Sequence, residues 1–287
     1  MSESAGVIHD IGYRHYDGPR LGSGYATRAL FAYSLRGIFG LGRPARSKVI
    51  PIFLALVMLL PAVVSIAILA MVKQRTMEYT QLAVFMQPVL AIFLASQSPT
   101  VVAPDLRYKV LPLYLSRPVT VVQYVVAKLA AMTLALFLLI GVPLTLMYVG
   151  ELLVDLQGPP ETMQYVAAMV SGLLLSVLLA ALGLLLASLT PRRGLGVASV
   201  IAVYLLTSAV AVALYGAFES LGRMTAASWA VLVNPVSLVD AVRVWLFGGG
   251  TAGMTYPDGP GPALIALALI VVLVGGLALR YRKAAAR

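Results

Sequence analysis

The sequence predicts an all-α polytopic membrane protein, on the evidence of its composition, its hydrophobic segments and the placement of its charges. Hydrophobic residues make up 60% of the 287 residues and charged residues only 11%, and the mean hydropathy is +0.93. This balance is typical of chains whose helices pack in lipid. The formal net charge is +10, but the basic residues cluster at the ends of hydrophobic segments, where anionic headgroups account for them. Nucleic-acid binding is therefore not predicted.

The chain divides at about residue 48. Residues 1–48 are predicted to form a cytoplasmic lead-in with an interfacial amphipathic helix, and residues 49–287 a six-helix transmembrane domain. Nearly all the hydrophobic segments reach the roughly 20 residues that are needed to cross about 30 Å of hydrocarbon. They are 50–72, 79–103, 129–150, 165–189, 195–218 and 261–279.

Lysine and arginine are distributed unequally between the two sides of the predicted membrane. Seven precede the first span, four lie between the second and third spans, two follow the fourth span and four lie in the tail, whereas the opposite side carries four. Because the side with more basic residues is normally cytoplasmic, we expect both termini to be cytoplasmic.

The N-terminal region contains a candidate amphipathic helix. Over residues 25–42, Arg28, Arg36 and Arg43 fall in one sector of a helical wheel, and aliphatic and aromatic residues fill the opposite side. Those apolar residues are Leu30, Phe31, Leu35, Ile38 and Leu41. The pattern predicts a helix that lies on the inner leaflet and contacts membrane lipid.

A metal site is not predicted. Both histidines, His9 and His15, lie beside Asp10 and Asp17, but this spacing fits no familiar set of metal ligands. The chain has no cysteine, which excludes disulfides and thiolate ligands.

Residues 96–128 form the one long polar and basic interruption between two uncharged hydrophobic spans. Pro104 and Asp105 are typical of a helix start, and Pro112 limits the predicted helix to about two turns. Leu106, Val110 and Leu113 recur at spacings of four and three, so they would share one face. The loop 104–118 is therefore predicted to couple to a soluble partner by pressing this stripe into a groove.

The coupling residues expected in this loop are Asp105, Leu106, Arg107, Val110, Leu113, Tyr114 and Arg117. The alternative interpretation is a solvated loop whose charges only set the orientation of the spans.

The fourth span carries a stripe of small residues at spacings of three and four, which allows close approach of helix backbones. The stripe is Gly172, Ser176, Ala180, Gly183 and Ala187. We favour packing within the subunit, with packing against a second subunit as the alternative.

The fifth span carries an aromatic and hydroxyl strip in otherwise aliphatic sequence. Its members are Tyr204, Thr207, Ser208 and Tyr215. The strip is interpreted either as the wall of a substrate pathway or as packing, in which serine and threonine bond back to their own helix.

The predicted outer segment, 219–260, contains both tryptophans. Asn234 and Pro235 open a short helix in which Asp240 and Arg243 occupy a different side from the apolar residues. We expect this helix to lie on or dip into the outer leaflet.

Two kinds of chemistry are missing from the sequence. It contains no phosphate-binding loop of the Gly-x-x-x-x-Gly-Lys-Ser/Thr type, so the chain is not expected to bind ATP or to act as an enzyme. None of the predicted spans holds an ionisable residue in its middle, which argues against ion-driven transport. A pathway lined by apolar, hydroxyl and aromatic groups would suit an amphipathic or lipid-like cargo.

The order of these elements resembles that of permease subunits of type-2 ATP-binding cassette (ABC) transporters. In that family, the loop between the second and third spans carries a docking helix, a segment ending in Ser-Arg-Pro and an amphipathic run into the third span. Here residues 114–118 read Tyr-Leu-Ser-Arg-Pro and 119–128 follow as the run, whereas residues 107–110 depart from the Glu-x-Gly-Thr-like piece of many members.

The resemblance implies an exporter in the bacterial plasma membrane. Two permease subunits, as a homodimer or a heterodimer, would work with two copies of a separate ATPase that holds ATP and magnesium. Two alternatives stay open: an ion-coupled secondary carrier, and a non-transporting membrane assembly or sensor subunit.

Overall fold

The structure is a computed structural model that describes residues 12, 18, 21–75, 77–115, 119–154, 158–190, 192–251 and 253–285. Within these residues the chain forms eleven α-helices and one 3₁₀ turn, and no strand. The predicted all-α fold is confirmed. His9, His15 and the Ser-Arg-Pro piece with Arg117 lie outside the described residues.

The helices are α1 (Ser23–Ile38), α2 (Arg46–Val72), α3 (Gln81–Phe85), α4 (Gln87–Arg107), α5 (Leu111–Leu115), α6 (Val121–Leu153), α7 (Thr162–Leu189), α8 (Arg193–Ser220), α9 (Met224–Ala230), α10 (Pro235–Phe247) and α11 (Gly261–Ala285), and the 3₁₀ turn is Val231–Val233.

Six of these helices, α2, α4, α6, α7, α8 and α11, are long and apolar enough to cross a membrane. This confirms the prediction of a multi-pass membrane protein. The longest, α6, has 33 residues and is about 50 Å long, so it exceeds the hydrocarbon thickness of about 30 Å. It begins at Val121 because the side chains of Thr120 and Gln123 form a capping box. The amphipathic run before the third span is therefore continuous with that span.

The second span differs from its prediction at both ends. It is interrupted at Met86, between α3 and α4, and α4 then continues through Pro99 and Pro104 to Arg107. The predicted docking helix starting at Pro104 is therefore wrong. α4 is followed by Lys109, whose φ of 53° is left-handed, and only then by the five residues of α5. Proline is compatible with a helix interior where neighbouring helices support the freed backbone groups.

The small-residue stripe of α7 packs inside the chain, as favoured from the sequence. All five of its residues are buried. A Cβ atom added at Gly183 would lie 2.4 Å from Leu94 of α4, and one at Gly172 would lie 3.1 Å from Ile140 of α6. The missing side chains therefore let α7 approach two other spans, and α7 lies at the centre of the bundle.

The amphipathic character of α1 is confirmed, since Leu30 and Ile38 are buried and Arg28 and Arg36 are exposed. Its apolar face packs mainly against α6 and also against α4, so protein covers much of the surface that was expected to face lipid. The helix ends before Leu41, which is exposed.

The segment that was predicted to lie outside, 219–260, forms a hairpin that enters the bundle. Its turn, at Asn234, reaches Ser208, with 3.3 Å between the asparagine Nδ2 and the serine Oγ. Ser208 lies 12 residues before the end of α8 at Ser220, which corresponds to about 18 Å. The segment is thus a re-entrant pair of helices, α9 and α10, joined by the 3₁₀ turn.

The polar side of α10 is not exposed, contrary to the amphipathic pattern. Asp240 and Arg243 are both buried, with 2.7 Å between the carboxylate and the guanidinium. Arg243 also donates to the carbonyl oxygens of Gly248 and Gly250, and the Tyr256 hydroxyl donates to Asp240. α10, the second helix of the hairpin, packs against α7 and α11. The ion pair and its hydrogen bonds hold α10 in this position.

Candidate functional site

The predicted coupling loop does not present its apolar stripe on one face. Leu106 lies in α4 and is half-buried against the core, Val110 is half-buried between α4 and α5, and Leu113 in α5 is 69% exposed. Arg107 is exposed, and Tyr108 beside it is 68% exposed. Among the described residues of this loop, Tyr108 and Leu113 are the large apolar side chains that are exposed.

Asp105 lies inside the bundle, in the last turn of α4. Its Oδ2 is 2.9 Å from the Lys128 Nζ and also accepts a hydrogen bond from the Tyr124 hydroxyl. Lys128 is buried as well and donates to the carbonyl oxygen of Val101 over 3.0 Å. These contacts replace the role in helix initiation that the sequence pattern indicated for Asp105.

A groove lies between α1 on one side and Tyr114 of α5 and Val119 on the other. It encloses about 470 Å³, and it is lined by residues that include Tyr25, Leu30, Tyr33, Tyr114 and Val119. Tyr25 and Tyr33 are 58% and 62% exposed. The sequence did not reveal this groove, because it forms between segments that are about 80 to 100 residues apart along the chain.

The four residues of the polar strip of α8 do not all lie at one site. Tyr204 and Thr207 line a small cavity together with Gln87 and Asn234. Ser208 lies next to it and accepts a hydrogen bond from Asn234. Tyr215 is elsewhere, because its hydroxyl is 3.2 Å from that of Thr255.

The cavity has a volume of about 30 Å³, and a single water molecule needs about 10–15 Å³ of such space. The cavity therefore has room for one or two water molecules. The Thr207 hydroxyl donates back to Val203 and Tyr204 of its own helix, which agrees with the packing alternative for that residue.

Gln87 and Asn234 are the functional candidates that sequence reasoning missed. Asn234 donates to the Gln87 Oε1 over 3.2 Å, and its own Oδ1 accepts from the backbone of Val236 over 2.8 Å, which caps α10. The dipeptide Asn234-Pro235 indicates a helix start. Nothing in the sequence indicates the contact with Gln87, which is 147 residues away.

A second polar cluster lies at the other end of the bundle from Asp105 and Lys128, where α6 ends and α7 begins. The Glu151 carboxylate accepts from the Arg75 guanidinium over 2.5 Å, from the Tyr79 hydroxyl and from the backbone of Glu161 over 3.0 Å. Arg75 also pairs with the Glu161 side chain over 3.0 Å.

The pKa values of the groups outside the spans follow from this arrangement. Burial raises the pKa of the Tyr79 hydroxyl, and the adjacent Glu151 raises it further. Burial alone would lower the pKa of Arg75, but the hydrogen bond and the charge of Glu151 outweigh it, and the net shift is upward. Both groups therefore stay protonated at neutral pH.

Among the described residues, no group of three or more histidine, cysteine, aspartate or glutamate side chains is placed to hold a metal ion. The fold and the six apolar helices define the class of this chain: it is an all-α, multi-pass membrane protein. No known family model matches the sequence. A search of curated proteins finds no match either.

Proposed function

We propose that the chain is the permease subunit of an ATP-driven ABC exporter and that it docks on a separate ATPase through the coupling loop and the α1 groove. The observation that carries this proposal is an exposed apolar surface next to the first residues of α6, where the coupling loop lies. Tyr108 and Leu113 are exposed in the coupling loop, and Tyr114, which follows Leu113 in α5, lines the groove together with Tyr25 and Tyr33.

This surface lies outside the apolar part of the spans. If residues 129–150 cross the hydrocarbon, the eight residues of α6 before them extend about 12 Å beyond it. Tyr114 packs on the ring of Tyr124, one of these eight residues, at a centroid distance of 5.6 Å, so it also lies outside residues 129–150. An exposed apolar side chain gains nothing in water, whereas burial in a partner contributes about 1.5–3 kcal/mol for each side chain.

The proposed assembly contains two permease subunits, identical or different, and two copies of the ATPase. The ATPase holds ATP and magnesium, since this chain has no phosphate-binding loop. Nucleotide would shift the paired permeases between two states by binding those states unequally. Opening of the cavity beside Tyr204, Thr207 and Ser208 would admit an amphipathic cargo.

A pull-down from the native membrane tests the partner. A P-loop ATPase is expected to co-purify with the wild-type chain, and Leu113→Asp is expected to reduce its amount by about tenfold or more, because each 1.4 kcal/mol of lost binding energy is a factor of ten. Leu221→Asp is the matched control, since Leu221 is 68% exposed at the end of α8 that the charge distribution predicts to be external.

Equal loss of the ATPase in both variants would contradict docking at the coupling loop, and no ATPase with the wild-type chain would contradict the assembly. Leu106→Asp is a less direct test, because Leu106 packs against the core and a charge there would also disturb the fold.

The proposed orientation is testable with single cysteines, because the chain has none of its own. Pro160→Cys is expected to react with an impermeant thiol reagent added to intact cells, and Gly194→Cys only after the membrane is opened. Both positions are exposed and lie at opposite ends of α7. The reverse labelling pattern would place both termini outside.

A further inference from the structure

The contacts of Asp105 connect α4 to α6 and to the residue before α5. Its carboxylate binds Lys128 and Tyr124 of α6, and its backbone carbonyl accepts from the amide of Val110 over 3.2 Å. The same residue therefore contacts both the third span and Val110, the last residue before α5.

Tyr124 extends these contacts to two further helices. Its ring is fully buried between Tyr114 of α5, at a centroid distance of 5.6 Å, and Tyr281 of α11, at 5.2 Å. The Lys128 Nζ lies 5.4 Å from the same ring. If α5 moves, Tyr114 moves against the ring of Tyr124, which packs on Tyr281. Movement of α5 therefore displaces side chains of α6 and α11.

Burying this ion pair is unfavourable unless the geometry of the two groups is held. Desolvation of two charges offsets much of their attraction, and well-packed apolar residues often stabilise a fold as well or better. The pair is therefore better explained by the position that it imposes than by stability. Packed side-chain networks with defined geometry are the elements that transmit movement between sites.

We infer that Asp105, Lys128 and Tyr124 form an internal connection by which movement of the coupling loop reaches α6 and α11. Asp105 then acts within the bundle and does not contact the partner. This inference rests on the proposed function for its purpose, but the connection itself is a property of the chain alone.

Hydrogen exchange of the purified full chain in lipid nanodiscs, without any ATPase, tests the connection. Lys128→Met leaves the Asp105 charge buried without its partner, and it is expected to speed exchange by about tenfold or more in two places, residues 109–115 and residues 279–285. The double variant Asp105→Asn with Lys128→Met removes both charges and, with them, the position that the pair imposes. Exchange in both segments is expected to stay at least about threefold faster than in the wild type, and wild-type rates would overturn the inference.

Tyr124→Phe is a milder variant that removes only the hydroxyl bonded to Asp105 and keeps the three rings. It is expected to speed exchange in residues 109–115 by about threefold to tenfold, and it serves if Lys128→Met does not fold. Arg223→Met, which replaces an exposed arginine that contacts neither segment, is the control and is expected to leave both segments unchanged.

Faster exchange confined to α4 and α6, with residues 109–115 and 279–285 unchanged, would overturn the inference, because the pair would then only join those two helices. Unchanged exchange throughout would overturn it as well. Failure to recover an ATPase in the pull-down would instead contradict the proposed function and leave this measurement unaffected.

Discussion

Asn234→Ala is expected to destabilise the folded protein by about 1–3 kcal/mol, since it removes a helix cap and leaves the buried Val236 amide and the half-buried Gln87 and Ser208 without this partner. The side chain caps α10 through Val236 and donates to Gln87 and Ser208. It thereby joins the turn of the re-entrant hairpin to α4 and α8. Unfolding in a denaturing detergent, monitored by the fluorescence of Trp229 and Trp245, measures the loss.

Asn234→Ser separates the two contributions. Serine caps a helix about as well as asparagine but is too short to hold both distant partners. The difference between the serine and alanine variants therefore reports the cap, and the difference between wild type and serine reports the contacts with Gln87 and Ser208. A wild-type stability for Asn234→Ala would show that the hairpin turn is held by its apolar contacts alone.

Arg75→Met is expected to lower the free energy of unfolding by about 2–3 kcal/mol. The side chain of Glu151 is only 3% exposed, and removal of its cation leaves the carboxylate buried without a charged partner, which typically costs about 3–5 kcal/mol. We expect less because the side chain of Arg75 is itself 37% exposed, so solvent screens the pair.

Glu151→Gln combined with Arg75→Met is expected to recover most of this loss, because the amide keeps an acceptor for Tyr79 and carries no charge. Arg223→Met, an exposed arginine before α9, is the matched control and should change stability by about 0.5 kcal/mol or less. An equal effect of the two arginine substitutions would indicate a general effect of charge instead of the contact with Glu151.

The apolar periodicity along the chain determined the number of spans but not their ends. Predicted span 129–150 lies within α6, Val121–Leu153, because the polar residues at both ends of this helix are satisfied by tertiary contacts. Lys128 pairs with Asp105, and Glu151 pairs with Arg75. A charge therefore looked like a span boundary in the sequence although the helix continues through it.

The candidate site, too, was predictable from the sequence only in part. The hydroxyl strip of α8 was recognisable from its spacing, yet its partners Gln87 and Asn234 come from other parts of the chain. The apolar stripe of the coupling loop was predicted on a single helix, but α4 ends at Arg107 and α5 begins at Leu111. Leu106 consequently faces the core and Leu113 faces outward, so only part of the predicted docking surface is exposed.

The sequence by itself determined the class of protein, the six spans, the amphipathic α1 and the small-residue face of α7, because each depends on hydrophobicity or on side-chain size repeated at helical spacing. Only the tertiary structure decided which polar residues are buried, where the outer hairpin turns and which side chains form the groove beside α5. Those features depend on contacts between residues far apart in the chain. Local periodicity carries no information about which helix will lie opposite.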